Sequence, residues 1–323
     1  MYPDNAAFSS KLHTLQIFWD STSLGSLKKC PRFYQLRHIE GWVPRTRSAD
    51  LTFGIFMHSG RERYYHARAE GKLHEEALDF ALAYVLEASW DSKTNRPWQG
   101  DQYKNRYTLA RSLVAYCDKW QNDALVTVIK SDKKPAVEES FRFPLGFGPT
   151  DSRPYDAQND SGGESEEYFL CGHLDRLVEF SDRLWISDLK TTRHTIDSYY
   201  FAQFTPSNQF SIYVLAGNIV LGRKVAGLIV DAVQVSVTME PKFGRALIER
   251  TEAQLNEFVR GLHVLLHQAE YYARNNFWPQ NEQACFRCDF RSVCSRAPAV
   301  REQWLKADFQ RETWDPTIVR GDI

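Results

Sequence analysis

The chain has 323 residues, 43% hydrophobic and 25% charged, enough to bury one large or two modest cores and ordinary enough to exclude wholesale disorder. Its formal net charge of -1 argues against nonspecific coating of nucleic acid but leaves room for a local basic channel. No apolar run approaches the ~20 residues of a membrane span, so no membrane partner is expected.

The first residues, Met1-Tyr2-Pro3-Asp4, lack the basic start and apolar centre of a secretion signal. A cytoplasmic, reducing location is therefore expected, in which the six cysteines read as ligands or core before disulfides. In chain order, a Ser/Thr cap at residues 21–23 followed by Leu24, Leu27, Phe33, Tyr34 and Leu36 predicts short helices broken at Pro31, with Cys30 at the break. Residues 53–66 read as the opening of a helix that carries His58, an imidazole able to join a metal site. Helical spacing continues over 75–88 and again from 103 to about 128, where Leu109, Leu113, Tyr116, Cys117 and Trp120 share a core stripe. Cys117 is thus expected to be buried and inert.

The period then changes. Residues 136–145 alternate as a strand, while 146–167 are rich in Gly, Pro, Asp, Ser and Asn and form a connector or functional loop. Strands are expected over 168–180, with Cys171 in the core, and over 183–189, with Ser181-Asp182 at the turn. A helix is expected over 206–220 with Pro206 in its first turn, which puts Gln209 and Tyr213 on one face. Residues 225–237 and 245–249 read as strands and 252–275 as an amphipathic helix. Charge is uneven along the chain: residues 28–72 hold ten Lys and Arg against four Asp and Glu, and residues 151–190 hold four against ten. A basic front and an acidic middle suit a phosphate-binding surface leading to a metal centre, and suit two solvated faces equally.

Two strand motifs carry the chemistry. The first is Gly172-His173-Leu174-Asp175-Arg176-Leu177 and the second Asp188-Leu189-Lys190. Residues i and i+2 of a strand share a face, so Asp188 and Lys190 project together while Leu189 turns into the core. If the Asp175 strand is the hairpin partner, two carboxylates and an ammonium converge. That set suits a hard divalent cation and a water attacking a phosphate. Asp-x-Lys alone is a common triplet; its setting among Leu184, Trp185, Ile186 and Leu189 sharpens it. Near the end, Cys285, Cys288 and Cys294 follow a C-x2-C-x5-C spacing that supplies three thiolates and lacks a fourth. Cys30 is the natural donor, for zinc or an iron-sulfur cluster.

The ordered set resembles the RecB-like iron-sulfur branch of the PD-(D/E)XK nuclease superfamily, of AddB-like and CRISPR-associated type. The match runs from the first cysteine through His58, the G-x-hydrophobic-D-R strand (Gly172 to Arg176), Asp188-Leu189-Lys190 and the Q-x3-Y helix (Gln209, Tyr213) to the late cysteines. The resemblance implies an α/β fold: a mixed central β-sheet flanked by helices, a restriction-endonuclease-like core, with an N-terminal helical lobe and an iron-sulfur clasp joining the termini. Residues 1–135 would form the N-terminal segment and lobe, 136–275 the nuclease core, and 276–323 the cysteine segment and tail. It further implies Mg2+ or Mn2+ at His58, Asp175 and Asp188, catalytic roles for Asp175, Asp188 and Lys190 with Gln209 and Tyr213 in support, and a [4Fe-4S] cluster on Cys30, Cys285, Cys288 and Cys294. Asp188 stands where many relatives have Glu, and Glu138 or Glu139 is a further candidate ligand. The expected function is a metal-dependent DNA nuclease, an exonuclease on single-stranded or free ends, with helicase, replication or CRISPR partners left open. The alternatives are a noncatalytic DNA-binding or scaffold subunit, a redox role for the cluster, and zinc in place of iron.

Overall fold

A computed structural model describes residues 8, 15–92, 94–149 and 166–318. Most of the polar connector expected over 146–167, together with the last five residues, lies outside the described residues. Two compact units emerge: one from Met1–Thr46, Ser140–Gly172 and Thr251–Val319, the other from Arg47–Glu139 and His173–Arg250.

The second unit is a mixed sheet flanked by helices. Strand Phe169–Phe180 and strand Arg183–Thr192 form an antiparallel hairpin, with Leu177 opposite Ile186 and Phe180 opposite Arg183. Both turn residues, Ser181 and Asp182, have positive φ (49° and 58°), the backbone hand that matches the strand twist in a two-residue turn. Strand Val225–Gln234 lies parallel to Arg183–Thr192, Asp188 opposite Val230, and edge strand Lys242–Glu249 pairs antiparallel to it. A parallel neighbour requires a crossover, supplied by helix Asn208–Leu221. Gly217 lets that helix come close: a Cβ there would sit 3.0 Å from both Ile186 and Val225. Leu189, of opposite parity to Ile186, packs instead with Phe53, Met57, Tyr64, Val85, Leu113 and Tyr116 from helices Ala49–Ala69, His74–Ala88 and Arg106–Lys119. The sheet is thus covered on both faces.

The long helix expected from residue 103 to 128 is shorter. Asp101 accepts the N–H groups of Tyr103 and Lys104, and Asn105 and Thr108 close a capping box, so the helix begins at Arg106 and ends at Lys119. Residues Val126–Thr127 instead pair with Val178 and Glu179. The helix expected from Pro206 starts at Asn208, with Ser207 as its cap position. Local side-chain hydrogen bonds prevail over periodicity at the first boundary.

In the first unit, Phe18–Trp19 runs parallel to Phe169 and Leu170, and helix Ser21–Lys29 starts from a capping box of Asp20 and Ser23. Pro31 opens the next short helix, Pro31–Tyr34, where its missing N–H costs nothing. Trp19, Tyr34, Trp278 and Tyr272 form one aromatic chain. Leu36, Trp42, Phe290, Val293, Leu305 and Phe309 form a separate apolar cluster. No helix among the described residues is long and apolar enough to cross a membrane.

Candidate active site

Helix Ala49–Ala69 begins where the Ser48 side chain accepts the Leu51 N–H and presents His58 and, one turn later, Arg61 on the same side. His58 is anchored at both ring nitrogens: Nε2 lies 3.0 Å from the Leu189 carbonyl and Nδ1 lies 3.1 Å from Asp175 Oδ2. The same Asp175 oxygen accepts the Leu189 N–H at 2.9 Å and lies 3.8 Å from the Arg61 guanidinium, which donates to the Ser187 carbonyl. Asp175 and Asp188 therefore meet across the hairpin that the motif spacing implied. Asp188, 1% exposed, places Oδ2 2.6 Å from Lys190 Nζ. Lys190 also donates to Gln209 Oε1 at 3.3 Å, and Gln209 Nε2 donates to the Tyr213 hydroxyl at 2.9 Å. The period-2 strand and the i, i+4 helix pair converge as one relay, an ion pair from Asp188 to Lys190 followed by hydrogen bonds through Gln209 to Tyr213.

The electrostatics divide the two carboxylates. Burial raises the Asp175 pKa, but the His58 charge and hydrogen bond, then Arg61 and Lys190, outweigh it and hold the group well below the usual carboxylate range. Burial pushes Asp188 up, Lys190 pulls it down and Asp175 pushes it up again; the net direction is up. For His58, burial favours the neutral ring, yet the Asp175 carboxylate prevails and raises its pKa. One acid is thus firmly ionised and its neighbour is held nearer to protonation.

Among the described residues, His58, Glu138 and Asp175 bring one ligand atom each within 4.8 Å of one another. Asp188, expected as a ligand with His58 and Asp175, is not in this group of mutually close atoms, and Glu138 is. Its neighbour Glu139 pairs with Lys130 at 2.7 Å, which decides between the two glutamates. Glu138 has φ of +52°, an uncommon conformation for a residue with a Cβ, and one that concentrates at functional sites. One imidazole and two carboxylates form a donor set that suits a divalent metal. Arg61 was not singled out from the sequence; its i+3 spacing from His58 was the available signal. Arg176, adjacent to Asp175 and so on the other face, braces the fold: it donates to Thr127 Oγ1 and the Leu125 carbonyl and stacks on Tyr65 at 3.5 Å.

A hairpin acid, an Asp-x-Lys strand, a parallel crossover strand and a helix-borne histidine form one arrangement. The model of the PD-(D/E)XK nuclease superfamily matches residues 21–295. The chain belongs to this superfamily. PD-(D/E)XK nucleases hydrolyse phosphodiester bonds and usually use divalent metals. A crystal structure from Eubacterium rectale, described as a "putative exonuclease", is similar at 13% identity and a TM-score of 0.45, over 91% of this chain and 93% of that one. The crystal structure of SSO0001 is similar at 14% identity and a TM-score of 0.30, over 85% and 96%. No curated protein matches the sequence.

The cysteines occupy the other unit. Cys30, Cys285, Cys288 and Cys294 line one small cavity with Phe33, Ala284 and Phe290. The segments are tied around it: Asn281 donates its N–H toward Cys30 Sγ at 3.3 Å and its side-chain amide to the Lys29 carbonyl, and Arg32 N–H bonds to the Pro279 carbonyl. Cys117 and Cys171 are buried elsewhere (0% and 2% exposed), and burial pushes the Cys171 thiol up to about 12. Neither resembles a thiolate ligand.

Proposed function

We propose that this chain is a metal-dependent deoxyribonuclease that trims single-stranded or free DNA ends. The reading rests on one observation: His58, Glu138 and Asp175 converge beside the buried Asp188–Lys190 pair. His58, Glu138 and Asp175 would hold Mg2+ or Mn2+, with Asp188 available to it. The Leu189 carbonyl occupies Nε2–H of His58, which leaves Nδ1 as the ligand atom and fixes the ring. A bound cation supplies charge neutralisation at the scissile phosphate and lowers the pKa of a water. Lys190, steered by Asp188 and Gln209, would orient the attacking water and offset phosphate charge. Tyr213 would hold Gln209 in place, and basic side chains of the same unit would receive the DNA backbone.

The cysteine cavity would hold a structural [4Fe-4S] cluster, as in the RecB-like iron-sulfur branch. The shared lining by all four cysteines supports a common inorganic centre.

The deciding experiment is digestion of end-labelled single- and double-stranded DNA with Mn2+, using circles and end-blocked strands as controls. Wild type is expected to shorten open strands and spare circles, and Asp188→Ala to be inactive. Cleavage retained by folded Asp188→Ala protein would sink the proposed centre; DNA binding without turnover in wild type would establish a noncatalytic subunit. Iron content and visible absorbance after anaerobic purification test the cluster, and colourless, zinc-loaded protein would overturn it.

A further inference from the structure

In the unit that carries the cysteines, helix Glu252–Arg274 turns two imidazoles toward each other. His263 and His267 are one helical turn apart on one face, and their Nε2 atoms lie 3.3 Å apart. His263 is 5% exposed and packs under the Phe147 ring at 4.5 Å. His267, 28% exposed, borders an open pocket of about 490 Å³ also lined by Gln268, Tyr271 and Tyr272.

That separation has a chemical meaning. Two imidazole nitrogens, each about 2.0–2.1 Å from one ion and set at the tetrahedral angle, stand roughly 3.3–3.4 Å apart. The far nitrogen of His267 completes the pattern: Nδ1 faces Glu270 Oε1 at 3.5 Å. A carboxylate behind a ligating imidazole keeps the proton on that nitrogen and leaves Nε2 as the donor. Glu270 is fixed for this task, 3% exposed and held by the Tyr168 hydroxyl and by Arg274, each at 3.0 Å.

We propose that His263 and His267 chelate a borderline divalent transition metal such as Zn2+, Co2+, Ni2+ or Cu2+, with Glu270 as a positioning residue and solvent from the pocket filling the remaining positions. Neutral imidazoles select such ions over Mg2+ and Ca2+. The site is therefore distinct in both residues and ion class from the carboxylate-rich group around His58. Binding to the folded helix alone raises its stability with the logarithm of ion concentration once that exceeds the dissociation constant.

The test is Zn2+ calorimetry, together with Cu2+ electron paramagnetic resonance, on full-length protein in a His58→Ala background that removes the other imidazole centre; the cysteines are common to every variant. The expected result is a site with two-nitrogen hyperfine structure that disappears in His267→Gln, with affinity lowered more than 100-fold. Glu270→Gln, which keeps both imidazoles, is expected to weaken Zn2+ by about 10–100-fold, and Tyr168→Phe by less. His263→Gln is expected to remove the two-nitrogen signature as well; should it fail to fold, the partly exposed His267 and Tyr168→Phe carry the test. Zn2+ affinity within threefold of the parent in His267→Gln would overturn the site. An effect of His267→Gln with none from Glu270→Gln would overturn the positioning role assigned to Glu270.

Discussion

Replacing Lys190 by Met separates its part in folding from its part in chemistry. The ammonium lies 2.6 Å from an Asp188 oxygen, and the aspartate side chain is 1% exposed whereas the lysine is 25% exposed. Breaking a fully buried pair typically costs 3–5 kcal/mol; with one partner partly solvated, about 2–4 kcal/mol is expected. The loss should depend on pH. Asp188 is already raised by burial, Lys190 lowers it, and Asp175 raises it. Without the lysine its folded pKa climbs further above the unfolded value. A raised carboxyl pKa costs nothing below the unfolded pKa, where both states are protonated, and its penalty grows as pH rises to the folded pKa. Urea midpoints of Lys190→Met should therefore approach wild type near pH 4 and diverge toward pH 8. The double variant Asp188→Asn/Lys190→Met removes both charges and should recover stability to within about 1–2 kcal/mol, the cost of an imperfectly bonded buried amide. Nuclease activity should stay down by on the order of 10²–10⁴-fold in both. A double variant less stable than Lys190→Met, or a loss unchanged between pH 4 and 8, would refute the argument.

Glu138→Gln should lower Mn2+ affinity more than about tenfold while leaving the fold intact, and chelation of wild type should stop cleavage until Mg2+ or Mn2+ is returned; metal titration of activity measures both. His38 is pushed down to about 3 by burial and then by Arg37. Between pH 6.5 and 3 the unfolded chain binds the extra proton, so stability should fall with acid by up to about 5 kcal/mol. His38→Gln, whose side-chain amide keeps a donor for Ser26 Oγ, should flatten that part of the pH–stability curve. A Cβ at Gly172, where φ is +154°, would lie 3.0 Å from the Phe141 ring. Gly172→Ala should cost about 1–3 kcal/mol, and adding Phe141→Leu should return part of it in thermal melts.

The sequence by itself determined everything that depends on near neighbours. Strand parity put Asp188 and Lys190 on one side and Leu189 in the core, a four-residue helical step put Gln209 against Tyr213, and the hairpin turn brought Asp175 to Asp188, because each follows from a fixed repeat over a few residues. The C-x2-C-x5-C spacing likewise grouped Cys285, Cys288 and Cys294, while Cys30 joins the same cavity from the far end of the chain. Tertiary structure alone decided which partners arrive from far along the chain. It brought Glu138 rather than Glu139 beside His58 through a backbone twist that no pattern signals, placed Arg61 behind Asp175, turned Arg176 to bracing, and set Glu270 against Tyr168 and His263 against Phe147. Those choices depend on how sheet twist, helix approach and the pairing of buried charge are satisfied together, and no stretch of sequence read alone contains that sum.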